Sequence, residues 1–350
     1  MNNNSMFLPD ETGHLSQENS KKYFSRIGLA CFILGIVSLL ISIASKILVR
    51  DILSQFTSNE IVSTVIPYAI TIVSTYVIAF PLAALALSPL PKISPVKEKM
   101  KTSHFFSALS IAFMLTFVGD YISSFFMSLG SSDTASIKIE SIYLSDTELI
   151  IHTVFLMLVL PIIEELVFRK FLCSRLLPLG EGFAVFFSSI IFALMGDFNQ
   201  FPHAFIVGIF FSFIYVKTGK IIYPIILHCA INFYSNVLGL YMTAKLPIDE
   251  ILEILNKDIT DAEKSALLDP YLSDFQVYIW SAMILFALII AGFIICYRSV
   301  KRQKFSLETG IIPPAKEHRI SNILLSTGIA AAIGYVGIKI VLPMYVERFL

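Results

Sequence analysis

Apolar residues along this chain come in long unbroken runs, and the polar residues gather between the runs. A helix that crosses a bilayer needs about 20 mainly apolar residues, because each adds about 1.5 Å toward a hydrocarbon layer near 30 Å thick. Runs of this kind cover roughly residues 25–45, 61–88, 105–128, 150–171, 183–197, 202–216, 221–240, 275–296 and 322–346. The pattern predicts an all-α fold, a polytopic membrane helical bundle with about nine transmembrane helices. The fifth and sixth runs are short, and a tilted or partly re-entrant pair there would depend on neighbouring helices to satisfy its backbone.

The polar segments divide the chain. Residues 1–20 form a polar tail without the features of a signal peptide, so the first apolar run is expected to stay as a span. A transmembrane region over 21–149 follows, then a core over 150–240, a polar insertion over 241–274 and a last transmembrane region over 275–350. Residues 46–60 are read as a loop. Within the insertion, "PIDEILEILNKDITDAEKSALL" has the spacing of one or two short amphipathic helices.

Composition agrees with a membrane class: 56% of residues are apolar, and the mean hydropathy is +0.76. A formal net charge of zero leaves no basic face for phosphate backbones, so nucleic acid is excluded as a partner and the lipid bilayer takes its place. Basic residues follow a side. Lys21, Lys22 and Arg26 precede the first span, Lys92, Lys97, Lys99 and Lys101 follow the second, and Arg169, Lys170 and Arg175 end the fourth. Lys217 and Lys220 stand between the sixth and seventh, and Arg298, Lys301, Arg302 and Lys304 follow the eighth. With nine crossings all these groups fall on one face. The opposite loops are acidic, with Asp133, Glu140, Asp146 and Glu148 in one and eight carboxylates against three lysines in 241–274. The positive-inside rule then places the N-terminus in the cytoplasm and the C-terminus outside the cell membrane. Cys31, Cys173, Cys229 and Cys296 all lie in or beside apolar runs without a CxxC pair, which points to unbridged thiols.

The candidate chemistry begins at "PIIEELVFRK", residues 161–170, where two adjacent carboxylates follow an apolar run. Ionisable groups inside a membrane mostly face the bundle interior and mark function. Arg169 stands four residues after Glu165, so the two can meet on one helix face. Glu164 points about a quarter turn away, a placement suited to a general base acting on water. In "YPIILHCAINFYSN", His228 and Asn232 are also four apart, and Asn236 continues their stripe. By helical rise His228 lies about 10 Å inside the edge at Ile221, and Glu164 about 9 Å from Lys170. Imidazole and carboxamide can donate to a developing oxyanion, or else serve as polar contacts between helices. Zinc held by Glu164, His228 and a third ligand is a competing use of the same groups, although neither HExxH nor HxxEH occurs. No cofactor is implied beyond that open divalent-metal alternative.

"EELVFR" at 164–169, "SSIIFALM" at 188–195, "VKTGKIIYP" and "HCAIN" at 228–232 together resemble the CPBP family of intramembrane endopeptidases, named for CAAX processing and bacteriocin processing and also called Abi. The resemblance spans roughly residues 150–240, which it marks as a catalytic core. It implies Glu164 as the base that activates water, Glu165 and Arg169 as its support, and His228 and Asn232 as oxyanion donors. The substrate implied is a membrane-associated peptide or protein, in peptide maturation or bacteriocin immunity. The chain departs from the family at a second motif, FxxxH. Phe192 opens it, but Gly196 occupies the histidine position. Asp197, next to that position, and His203, seven residues beyond it, are the available substitutes. The alternative is a catalytically impaired relative that acts as a membrane binding or regulatory protein. A transporter is the third reading, and it would spread polar groups across the bilayer rather than cluster them.

Overall fold

The computed structural model describes residues 7, 10, 13–56, 60–130, 145–315, 317 and 319–349. Most of the loop that carries Asp133 and Glu140, and also His318, lies outside the described residues. Among the described residues the fold is all helical, with two isolated bridges, Leu15 to Pro314 and Gly180 to Thr309, and no sheet. The chain is a multi-pass membrane protein by the length and apolar character of its helices. Among the described residues seven are long and apolar enough to cross a bilayer, and two shorter apolar helices, Glu181–Met195 and Thr327–Val341, stand at the fifth and ninth expected positions. The chain forms two compact units.

The first unit comprises residues Met1–Lys99, Ile163–Pro224 and Phe305–Leu350. It opens with α1 (Gln17–Phe56), which runs through most of the segment expected to be a loop at 46–60. The reason is visible in "KILVRDILSQF", where apolar residues recur at helical spacing among the charges and the backbone has no glycine or proline to stop it. Next come α2 (Glu60–Thr71) and α3 (Phe80–Leu87), joined by a wide π-helical stretch, Ile72–Ala79. The last helix is preceded by the short α15 (Arg319–Leu324), so the expected run from 322 is broken, and α16 spans Thr327–Phe349.

Helices α1 and α16 approach until their backbones touch. A Cβ on Gly328 would lie 1.8 Å from the Ser25 carbonyl oxygen, and one on Gly28 would lie 2.2 Å from the Gly328 carbonyl carbon. Only glycines permit this approach, which in lipid supplies the van der Waals contact that hydrophobic exclusion cannot. Ser25 Oγ then reaches Thr327 Oγ1 at 2.9 Å and accepts from the Gly328 N–H at 3.1 Å. Beside this crossing, Phe24, Phe183 and Phe187 form an aromatic cluster with ring centroids 5.7–6.0 Å apart.

The second unit comprises Met100–Ile162 and Ile225–Lys304. Its longest members, α4 (Thr102–Gly130) and α14 (Leu272–Lys301), meet where Gly292 lies against the backbone of Ser110. The expected pair of short helices forms as α12 (Ile248–Asn256) and α13 (Asp261–Leu268). The first buries Ile251 and Ile254, and the second starts from a capping box between Thr260 and Glu263. Cys31, Cys173 and Cys229 are buried and in no disulfide, and Cys296, also unbridged, is partly covered.

Candidate active site

The segment with the paired glutamates alternates between ordinary and widened helical turns. It begins as α5 (Asp146–Thr153), capped by Ser145, and passes through a π stretch at Val154–Val159 into α6 (Leu160–Glu165). A second π stretch, Leu166–Cys173, starts at the residue after Glu165 and carries Arg169, and the short α7 (Ser174–Leu176) follows it. The later motif repeats the arrangement: α10 (Ile222–Asn232) ends on Asn232, and a π stretch at Phe233–Leu238 follows directly, leading into α11 (Gly239–Lys245). A π turn accommodates an extra residue and rotates the side chains beyond it, and such turns concentrate at functional sites.

In the first unit the two glutamates divide their environments. Glu165 and Arg169 are both fully buried, with Arg169 Nε 3.2 Å from Glu165 Oε2. The guanidinium carbon lies 4.4 Å from the Phe192 ring centroid and 5.9 Å from that of Phe211. Space for it comes from Gly208, where an added Cβ would stand 3.5 Å from an Arg169 terminal nitrogen and 3.3 Å from Phe192. Phe192 and Gly208 belong to α8 (Glu181–Met195) and α9 (Phe201–Thr218), which are further joined through Ser188, Ser189 and Ser212 hydroxyls at 2.9 and 3.2 Å. The Arg169 guanidinium thus lies in the protein interior, with its counter-ion and two aromatic faces.

Glu164 is half-buried, and the Tyr76 hydroxyl donates to its Oε1 at 3.3 Å. Tyr76 lies in the π stretch between α2 and α3 and was not foreseeable as a partner. Its sequence signal is weak, because in "IVSTYVIAF" its hydroxyl is one of three in a row with those of Ser74 and Thr75. The Glu165 and Arg169 placement matches the expected i, i+4 pairing even though Arg169 sits in a widened turn.

The vacant histidine position is the C-terminal end of α8. Gly196 caps it, and Lys339 of α16 donates its ammonium to the carbonyls of Leu194 at 2.9 Å, Met195 at 3.2 Å and Gly196. Carbonyls at a helix end have no partners within the helix, and a cation there also meets the negative end of the dipole. Lys339 is a second residue that sequence reasoning missed, since 143 positions separate it from Gly196. Asp197 is exposed, and its carboxylate accepts from the Asn199 N–H at 3.1 Å, capping the turn Phe198–Gln200. His203 occupies the first turn of α9 and is half-buried.

His228 and Asn232 belong to the second unit. His228 is buried, and Asn232 is half-buried with its amide donating to the Leu156 carbonyl at 2.9 Å. Leu156 lies within the π stretch that follows α5, so a widened turn there meets a polar side chain at the end of α10. Asn236, expected on the same stripe, is exposed. Among the described residues no group of three or more His, Cys, Asp or Glu side chains could hold a metal ion.

Residues 146–234 match the protein family described as "Type II CAAX prenyl endopeptidase Rce1-like". The matched quarter of the chain runs from the first turn of α5 to just beyond Asn232 and contains every candidate residue named above except Tyr76, Asn236 and Lys339. What it supports is the broad CAAX-protease and Abi superfamily, rather than the CPBP family in particular that the motifs resemble. No curated protein and no solved structure matches the chain.

Proposed function

We propose that the chain is an intramembrane endopeptidase that hydrolyses a peptide bond with water activated by Glu164. The observation that carries this reading is the division of labour between adjacent glutamates. Glu165 is sealed against Arg169 in a fully buried, aromatic-lined interior, whereas Glu164 is only half-buried and is oriented by the Tyr76 hydroxyl. A buried ion pair is a poor source of stability, since desolvation offsets most of its Coulombic gain. It does fix a helix face rigidly, and so sets the direction of the next carboxylate. The matched family and its motif order support the same assignment.

In this mechanism Glu164 takes a proton from water as the oxygen attacks the scissile carbonyl. His228 and Asn232 donate to the resulting oxyanion. Glu164 then returns the proton to the leaving amine, so that no acyl-enzyme forms. The substrate class is a membrane-associated peptide or protein segment, in peptide maturation or bacteriocin immunity, cut near the cytoplasmic face. The N-terminus lies in the cytoplasm and the C-terminus outside, the orientation that the basic connectors favour.

A second reading has its own observation. The position where the resembling family carries its second-motif histidine is here a helix end neutralised by Lys339, and the adjacent Asp197 is engaged in capping its own turn. A relative that binds membrane peptides without cutting them accounts for this. The two readings separate on one experiment: purified protein is incubated with a peptide library that includes prenylated and unprenylated members, beside Glu164→Ala. The peptidase reading requires cleavage by the wild type, at least about a hundredfold faster than by the variant, the lower end of general-base contributions. Peptide binding without cleavage, equal in both proteins, would establish the second reading. A parallel incubation with a strong chelator tests the zinc alternative, which requires activity to vanish.

A further inference from the structure

The first unit contains a cavity of about 420 Å³, assembled from three separate parts of the chain. One wall is the connector after α3, with Lys92, Ser94 and Lys97. Another is the end of the π stretch and α7, with Lys170 and Ser174, and the last is the end of α9 and its turn, with Tyr215 and Lys220.

The connector is a strap fixed in place. Its Ile93 N–H donates to the Ser174 carbonyl at 2.9 Å, and its Glu98 N–H donates to the Thr218 carbonyl at 2.8 Å. Between these anchors it presses on Gly219, which ends α9 in the left-handed region at φ 60°. A Cβ there would stand 2.4 Å from the Val96 carbonyl oxygen, so only glycine allows the strap to close. The floor is polar and inaccessible: Ser174 and Tyr215 are buried, with their hydroxyls 3.2 Å apart.

Four lysines therefore line one formed cavity, and none of the residues lining it is a carboxylate. Of the acidic residues near the end of α9, Glu181 is already paired with Lys217 at 2.5 Å, and Glu98, on the strap, is exposed and is not among the lining residues. Ile221 and Ile222, the residue before α10 and the first residue of that helix, are also in the lining, so the positive end of a helix dipole borders the same space. Like charges held together in a pocket repel one another, and an anion bound among them removes that cost. We infer that this cavity binds a phosphate group, carried either by an anionic phospholipid or by a soluble phosphate ester. Its volume admits a headgroup, and lysine suits phosphate as a point charge. The site is separate from the proposed peptidase chemistry and does not depend on it.

The test is native mass spectrometry of the full-length protein in detergent, titrated with phosphatidylglycerol, phosphatidylcholine or glycerol phosphate. One variant replaces Lys92, Lys97, Lys170 and Lys220 with glutamine; a control replaces Arg298, Lys301, Arg302 and Lys304, which removes the same charge elsewhere. Two double variants, K92Q/K97Q and K170Q/K220Q, keep the test open if the quadruple variant fails to fold. A lysine near an anionic surface contributes about a fivefold factor in binding. Preferential retention of phosphatidylglycerol over phosphatidylcholine, lost at least about tenfold in the cavity variants and kept in the control, supports the lipid source. Saturable glycerol phosphate binding with the same variant dependence, and no lipid preference, supports the soluble source. Equal losses in cavity and control variants, or no wild-type preference in either arm, would overturn the inference.

Discussion

Arg169→Met places an uncompensated carboxylate in the interior of the first unit. Both partners of the Glu165 and Arg169 pair are fully buried, so neither water nor salt screens what remains. Removing one member of such a pair costs about 3–5 kcal/mol, mainly through the charge left behind. Loss of the contact between the guanidinium and the Phe192 ring, at 4.4 Å, adds on the order of 1 kcal/mol. For a unit of this size each kcal/mol corresponds to about 2–4 °C, so a fall of about 6–20 °C is expected from the charge alone. The cysteines supply the assay. In a background where Cys229 and Cys296 are replaced by serine, a thiol-reactive fluorophore labels only Cys31 and Cys173, both buried in this unit, as it unfolds. The informative comparison is Glu165→Gln combined with Arg169→Met, which removes both charges at nearly constant volume and should recover most of the lost stability. A double variant no more stable than Arg169→Met would show that shape and stacking, not buried charge, determine the cost, and the argument for a charge-locked helix face would fail.

Other expectations follow from single contacts. Tyr76→Phe deletes the hydroxyl that donates to Glu164 and should lower the rate of peptide hydrolysis about threefold to tenfold, with little change in the melting profile; an unchanged rate would remove Tyr76 from the site. Lys339→Met leaves the final carbonyls of α8 without their cation and should cost about 1–3 kcal/mol, read as faster amide exchange over residues 192–199. Gly208→Ala inserts a methyl 3.3 Å from both Phe192 and Ser189 and should destabilise the unit by about 1–3 kcal/mol in the same thiol assay. Thr260→Ala removes the hydroxyl half of the capping box of α13 and leaves only the bond from its backbone N–H to Glu263; it should cost about 0.5–2 kcal/mol, visible as fraying of that helix by amide exchange, with α12 unaffected.

Much of the architecture was legible in the chain itself. Apolar runs of span length must become helices in lipid because no other open structure satisfies the backbone there, and the nine runs lie on helical segments, the ninth broken between α15 and α16. Their ends were less legible. The loop expected at 46–60 is mostly helix, since helical hydrogen bonding continues past the apolar stretch wherever spacing permits and nothing breaks it. The pairing of Glu165 with Arg169 was also local and so could be read from spacing alone. What surrounds that pair could not. Phe192, Phe211, Gly208, Tyr76 and Lys339 come from other helices, and they are brought to it, to Glu164 or to the end of α8 by packing. The widened turns that follow Glu165 and Asn232 rotate side chains in a way no 3.6-residue template anticipates. Sequence determined the medium, the helices and the local ion pair, because these depend on neighbours along the chain. Tertiary structure alone decided which carboxylate is sealed and which is held by a tyrosine, because burial is set by contacts between distant segments.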